Sequence, residues 1–223
     1  MTLKLFFQAM IKVLLGIIMI GLLLFIPAGS VNYWNGWLLI IILFVPMIIA
    51  GIILMIFNPE LLKKRLNAKE EESEQKIVIA LSGVMFIAAF IFAGLNYRFT
   101  WNVLPNFIVY ISTGLFFLAY MMYAEVLREN EYLSRTIEVQ KDQRVVDTGL
   151  YGIVRHPMYS ATIILFLSMG LILGSLISFA ILLFYIPIIV KRIRNEEEVL
   201  SRNLTGYDEY MKKIRYRLIP FIW

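Results

Sequence analysis

Residues 158–190 read MYSATIILFLSMGLILGSLISFAILLFYIPIIV, an apolar run broken in its middle by Gly170, Gly174 and Ser175. It is too long for one ordinary span, which needs about 20 residues. Two helices of about 15 residues, joined at residues 171–175, give a tight hairpin whose arms are a little short for the full hydrocarbon thickness. Before the hairpin stands Gly149-Leu150-Tyr151-Gly152-Ile153-Val154-Arg155-His156-Pro157-Met158-Tyr159, with the only histidine of the chain. After it comes the charged stretch Lys191-Arg192-Ile193-Arg194-Asn195-Glu196-Glu197-Glu198. The hairpin brings these two stretches to the same side.

Composition places everything upstream in a membrane. Of 223 residues, 60% are hydrophobic and 17% charged, and mean hydropathy is +0.77. That is more apolar surface than one water-soluble core hides. Apolar runs over residues 8–26, 37–57, 77–95 and 107–127 are each near spanning length. Lys4 and Lys12 before the first run, and Pro27-Ala28-Gly29-Ser30 after it, also resemble a secretory signal with its cleavage site. We read it as a retained helix. Pro46 is tolerable inside a membrane helix as a kink, provided neighbours satisfy the freed carbonyl. Gly83, Ala88, Ala89, Ala93 and Gly94 suit close helix packing.

The connections fix an orientation. Residues 60–76 carry Lys63, Lys64, Arg65, Lys69 and Lys76 among Glu70, Glu71, Glu72 and Glu74. Residues 128–155 carry Arg128, Arg135, Lys141, Arg144 and Arg155, with apolar–polar alternation at Ile137-Glu138-Val139-Gln140 and Arg144-Val145-Val146-Asp147, the mark of a segment lying against something. The other two connections hold only Arg98, with Tyr33, Trp34, Trp37, Tyr97, Phe99 and Trp101 as an aromatic belt. The positive-inside rule makes the basic connections and both termini cytoplasmic. The expected fold is an all-α integral membrane protein of four long transmembrane helices plus a C-terminal glycine-broken hairpin, five to six membrane segments. Residues 1–127 form the four-helix region. Residues 128–223, the cytoplasmic connection, hairpin and tail, form the cofactor-binding catalytic region.

The chemistry is narrowed by absence. Without cysteine there is no disulfide or cysteine-ligated metal, and one histidine leaves little for a histidine-rich centre. The net charge of +5 lies in connections between spans, where topology explains it without nucleic acid. Pro157 suits the first position of a helix, so free N–H groups beside Arg155 and His156 attract anions. Tyr159 is three residues from His156 and four from Arg155, within reach on one helical face. Glu196 and Glu197 stand across the hairpin. An anion-binding helix start facing carboxylates suits a zwitterionic ligand that also carries a sugar or a cation. Bland alternatives stand beside this reading, and a lone histidine before a proline is often just a helix cap. Arg155 and the basic stretch are also what a positive-inside anchor looks like, and Arg192 with Glu196, or Arg194 with Glu198, are also ordinary helix pairs worth a few tenths of a kcal/mol. Glu125, near the end of the fourth run, either lines a substrate pocket or marks the interface.

Taken together, Gly149-x-Tyr151, Arg155-His156-Pro157-x-Tyr159, the broken hairpin, Arg192-Ile193-x-x-Glu196-Glu197-x-x-Leu200, Gly206-Tyr207-x-x-Tyr210 and Arg217-Leu218-Ile219-Pro220 resemble the isoprenylcysteine carboxyl methyltransferase family and its phospholipid methyltransferase relatives. The resemblance is close over residues 145–223. It implies an integral membrane methyltransferase that uses S-adenosylmethionine and releases S-adenosylhomocysteine, without a metal. By that resemblance His156 and Tyr159, with Arg155, hold the methionine carboxylate or position the adenosine, at the helix start made by Pro157. Glu196 and Glu197 contact the adenosyl or amino part. The turn of Gly149, Tyr151 and Gly152 lets backbone approach the cofactor, and Gln143 is a further contact. Ser160-Ala161 replaces the family's usual glycine after the tyrosine. A carboxylate or thiolate acceptor needs no base, whereas an amine or hydroxyl does, and His156 or Glu125 are the candidates. The acceptor, lipophilic or amphipathic, arrives laterally from the bilayer. The runner-up is NADPH-dependent reduction of a lipid or sterol double bond, against which three successive glutamates argue by repelling phosphate. A non-enzymatic scaffold or transporter is the third reading. Polar groups at the midplane, which a transporter needs, are few.

Overall fold

The computed structural model describes residues 2–66, 73–133 and 139–223. Lys69, Glu70, Glu71, Glu72, Arg135, Ile137 and Glu138 therefore lie outside the described residues, as do the side chains of Lys4 and Glu74. The chain forms helices Thr2–Ala28 (α1), Trp34–Phe57 (α2), Pro59–Leu66 (α3), Ser73–Phe99 (α4), Asn106–Glu129 (α5), Pro157–Ile172 (α6), Leu176–Leu182 (α7), Tyr185–Asn203 (α8) and Tyr207–Lys213 (α9), with no strand among the described residues. Leu5–Ala28, Trp34–Phe57, Gln75–Phe99, Asn106–Glu129 and Leu176–Asn203 are long and apolar enough to cross a membrane, and Pro157–Ile172 is a shorter apolar helix. Their outward faces carry Leu15, Ile26, Ile41, Ile56, Val84 and Met121, all largely exposed. This is an integral membrane protein whose lipid-facing surface is apolar by necessity.

Inside, one apolar core joins Leu24, Leu39, Ala89, Phe116, Ile172, Leu182 and Ile189, drawing on residues from both sides of position 128. The most extensive pairing is α5 along α6, followed by α1 against α4. At the α1–α4 crossing a Cβ on Gly94 would stand 2.4 Å from the Leu24 carbonyl oxygen, so this small residue sets the approach, as its type suggested. Pro46 sits within continuous α2, and the Tyr120 hydroxyl of α5 donates to the Leu43 carbonyl in the turn before it at 2.6 Å. Pro46 has no N–H for the Ile42 carbonyl four residues before it, so the Tyr120 contact falls one residue along from the acceptor that the proline frees.

The hairpin forms, but its second arm differs from expectation. Instead of one helix of about 15 residues, the chain turns at Leu183 and Phe184 between α7 and α8, and α8 continues through the charged stretch to Asn203. The cause is a buried stripe at four-residue spacing, Tyr185, Ile189, Ile193 and Glu197, that keeps one face packed while lysine, arginine and glutamate occupy the others. The hairpin tip is held by polar side chains. Tyr33 Oη donates to the Leu173 carbonyl at 2.5 Å and Asn35 Nδ2 to the Ile172 carbonyl at 2.7 Å, satisfying the acceptors left at the end of α6. Asn96 Nδ2 reaches the Gly174 carbonyl at 3.4 Å. The tip and the two arginine-poor connections therefore share one end of the bundle.

Close approach of the arms depends on Gly170, where a Cβ would lie 2.5 Å from the Phe179 backbone nitrogen. Gly170→Ala must force α6 and α7 apart. We expect a loss of about 1–3 kcal/mol, the usual cost of overpacking, seen as a lower thermal unfolding temperature in detergent; Gly83→Ala, with open space around its Cβ, is the control that stays near wild type.

Candidate active site at the base of the hairpin

At the opposite end from the tip, the start of α6, the last turns of α8, α9 and the tail converge. His156 precedes Pro157, which takes the first position of α6 as expected. Residues 155 and 156 also hold the tail in an extended pairing: Arg155 N–H donates to the Tyr216 carbonyl and His156 N–H to the Arg217 carbonyl, each at 2.9 Å. Ser160 Oγ, in the first turn of α6, donates to the Leu218 carbonyl at 2.7 Å. That small residue is a tail anchor.

Glu197 is the hub. Its Oε1 accepts from Arg155 Nε at 2.7 Å and from His156 Nε2 at 3.1 Å, and its Oε2 accepts from Arg217 Nε at 2.8 Å. Glu197, Arg155 and His156 are all buried. A carboxylate accepts only, so the His156 proton sits on Nε2. Arg155 Nη1 further donates to the Ile214 and Arg215 carbonyls at 2.8 and 2.9 Å. Glu197 ties three donors from two distant segments, and it borders a groove with Arg194, Glu198 and Arg217 rather than the cleft that Glu196 lines.

Glu196, one residue earlier and about 100° around the helix, lines a cleft of about 830 Å³ of unfilled space, its open mouth included. Tyr159 Oη donates to Glu196 Oε2 at 2.5 Å and accepts from Arg192 Nε at 2.8 Å. The Tyr159 ring stacks on His156 with centroids 5.7 Å apart. Arg192 Nη1 donates to Gln75 Oε1 at 3.0 Å, and Gln75 Nε2 to Asn195 Oδ1 at 2.6 Å, so the foot of α4 braces this wall. Arg192 and Glu196 thus meet through Tyr159.

The opposite wall comes from the connection between α5 and α6. Gln143 lines the cleft, with its Oε1 accepting from the Gln140 backbone N–H at 2.8 Å. Tyr151 lines it too, its hydroxyl accepting from Asn130 Nδ2 at 2.9 Å and its carbonyl from Tyr210 Oη at 2.8 Å; burial pushes its phenol up to about 12. Val145, Leu200 and Leu204 add apolar surface. Tyr207, from α9, lines the same cleft, is 4% exposed, and its hydroxyl has no hydrogen-bond partner among the described residues.

Of the residues singled out from sequence, Gln143, Tyr151, Arg155, His156, Tyr159 and Glu196 meet at this cleft, with Pro157 buried beneath it. Others do not. Glu125 is absent from the lining and is held by Arg128, Nη2 to Oε1 at 2.6 Å, on the exposed side of α5, an i,i+3 pair that satisfies it. Gly149 packs on Glu129, whose Cδ would be 2.9 Å from an added Cβ, and its φ of +53° serves the turn of Gly149–Gly152; Gly152 is exposed with the Asp147 carbonyl beside it. Neither glycine borders the cleft.

With this geometry in place, the chain can be compared with known proteins. Residues 108–202 match the Isoprenylcysteine carboxyl methyltransferase (ICMT) family. The ICMT match takes in nearly all of α5, the connection, the whole hairpin and α8 as far as Arg202. Another relative, the Delta(14)-sterol reductase of Mus musculus, is 30% identical over 91 residues, which is 40% of this chain and 22% of that protein. The chain thus spans about a fifth of the length of that curated relative. Tyr207, Tyr210 and Arg217 lie beyond the ICMT match. Their motifs were visible, but only the folded tail shows that Arg217 joins Glu197.

Glu197→Gln removes the charge that holds two arginines and a histidine. Breaking a buried ion pair costs about 3–5 kcal/mol. The expected outcome is a marked drop in thermal unfolding temperature, whereas Glu196→Gln stays within about 1 kcal/mol of wild type; equal losses in the two variants would contradict the division of roles.

Proposed function

We propose that this chain is an S-adenosylmethionine-dependent membrane methyltransferase, acting on a lipophilic or amphipathic acceptor at the cytoplasmic end of the bundle. The observation that carries the reading is the division between neighbouring glutamates. Glu197 is engaged wholly within the protein, while Glu196 faces a cleft built by the hairpin base. The ICMT match over residues 108–202 supports the same reading. So does the positive-inside rule: Lys63, Lys64, Lys191, Arg192, Arg194 and Arg202 belong to the end that holds the cleft, and Arg98 to the other.

The residues present fit the cofactor. The cleft offers a carboxylate, a buried phenol hydroxyl without a partner among the described residues, and apolar walls, the complement of an elongated molecule with a cation, polar groups and a flat base. Glu196, Tyr159, Gln143 and Tyr207 are the side chains that would hold it. When bound, S-adenosylmethionine supplies a methyl group on a sulfonium, which is already a good leaving group. The protein's share is then position and a dry, polar-lined cavity. Glu196 favours positive charge beside it. Arg155 acts through Glu197 and the tail, as a positioning residue. His156, with Nε2–H committed to Glu197, keeps Nδ1 as the nitrogen able to take a proton from an amine or hydroxyl acceptor. A carboxylate or thiolate acceptor would leave His156 with a purely structural role. Glu125 has no place in this scheme. The acceptor would enter laterally from the bilayer, as an apolar molecule concentrated in lipid can.

NADPH-dependent reduction remains a second reading on two specific observations. One is the sterol reductase relative. The other is that only one of the three successive glutamates lines the cleft: Glu197 is neutralised internally, and Glu198 pairs with Arg202 at 3.6 Å beside a separate groove. Repulsion of phosphate therefore rests on Glu196 alone, with Arg144 on the opposite wall.

Calorimetry on the detergent-purified protein separates the two. Saturable binding of S-adenosylhomocysteine and not of NADPH, weakened about tenfold or more in Glu196→Gln as for a hydrogen bond to a charged group, is the expected result. Binding of NADPH alone would transfer the assignment to the reductase reading, and binding of neither would remove both.

A further inference from the structure

The Tyr207 hydroxyl is out of place in a folded protein. Buried hydroxyls find a partner in the large majority of cases, and an unsatisfied one costs about 1–3 kcal/mol. Among the described residues, Tyr207 Oη is the buried side-chain oxygen or nitrogen without a hydrogen bond, and it lines the cleft. Its ring is held firmly. Gly206, at φ +86°, starts α9, and Tyr207 packs with Leu204, Tyr210 and Ile214 in a small apolar cluster that Val145 and Leu200 complete.

The chemistry of the missing partner follows from the surroundings. Burial, with Glu196 and Glu197 nearby, raises the Tyr207 phenol far above its ordinary range, so it presents O–H as a neutral donor. Glu196 disfavours an anionic acceptor at this point, while Arg155 and Glu197 nearby are already paired with each other. Val145, Leu200 and Leu204, which also line the cleft, provide apolar surface for a flat ring. A neutral acceptor on a flat, apolar-walled body describes a heteroaromatic ring nitrogen.

We propose that Tyr207 marks the base-binding end of the cleft, donating its hydroxyl hydrogen bond to a purine ring nitrogen of the bound cofactor. This rests on the methyltransferase reading for the choice of ligand, although the adenine ring is common to S-adenosylmethionine and NADPH.

The test compares wild type with Tyr207→Phe, using S-adenosylhomocysteine, its 1-deaza, 3-deaza and 7-deaza analogues, and its 2′- and 3′-deoxy analogues. Tyr207→Phe should weaken S-adenosylhomocysteine about three- to tenfold, the range of one neutral hydrogen bond. One deaza analogue should lose a similar factor with wild type and nothing further with the variant, the coupling expected of a direct contact. The unfolding temperature of the ligand-free variant should not fall, because the hydroxyl removed has no partner. Unchanged affinity overturns the proposal. So does coupling to a deoxy analogue in place of a deaza one, or a ligand-free variant that unfolds earlier. If wild type binds NADPH and not S-adenosylhomocysteine, the methyltransferase reading fails by itself, and the effect of Tyr207→Phe on NADPH affinity decides this one: a three- to tenfold loss upholds it and no loss overturns it. Binding of neither overturns both.

Discussion

A carboxylate removed from water needs full compensation, and that constraint governs the base of this protein. An ion of that size costs several kcal/mol to bury even after relaxation. Glu197 recovers it from Arg155, His156 and Arg217, which come from the start of α6 and from the tail. Such pairs add little net stability over apolar packing, but they punish any arrangement that leaves a charge alone. Here the hairpin's two arms and the extended tail meet so that all four groups are satisfied together, and the cleft lies beside them at Glu196.

The far end of the hairpin obeys the same logic with neutral groups. The last carbonyls of α6 have no helical partners, and Tyr33 and Asn35 reach across from the start of α2 to take them. The hairpin is therefore fixed at both ends by polar contacts, with an apolar middle set by close packing at Gly170. Pinned at tip and base, the short arm holds Tyr159 in place, because side chains on helices whose rotamers are locked by neighbours, as Tyr159 is by Arg192 and Glu196, move less than side chains on loops.

Much of this was readable from hydropathy and punctuation. Spanning runs, the glycine break after Gly170, and the basic and non-basic connections all depend on composition at a coarse scale, where lipid is an unforgiving solvent. What stayed hidden depended on rotation and on distant pairing. Whether the charged stretch after Val190 continues the helix was settled by the four-residue stripe ending in Glu197, a buried charge that looks polar in sequence. Glu196 and Glu197 are indistinguishable by type and spacing, yet a turn of about 100° sends one to the cleft and the other to the hub. Glu125 was legible in retrospect: Arg128 three residues on is its natural partner. Gly149 was read as room for a ligand, when the same absence of a side chain makes room for Glu129.

A chain similar in part both to a methyltransferase family and to a sterol reductase raises the question of what such proteins would have in common. A flat base held at the apolar end would serve either cofactor, because adenine is the part they share. Discrimination must then fall to the groups beyond the base, where S-adenosylmethionine presents a positive sulfonium and NADPH brings a pyrophosphate and a phosphate on the adenosine ribose. In this chain the cleft holds Glu196 hydrogen-bonded to Tyr159, with Arg192 drawn onto Tyr159 and Gln75. Bonding to neutral oxygens leaves Arg192 its own positive charge, and it lines the same cleft, so the field there is that of a carboxylate with a guanidinium beside it. Low dielectric magnifies both, and a positive group is favoured on the Glu196 side and a negative one on the Arg192 side.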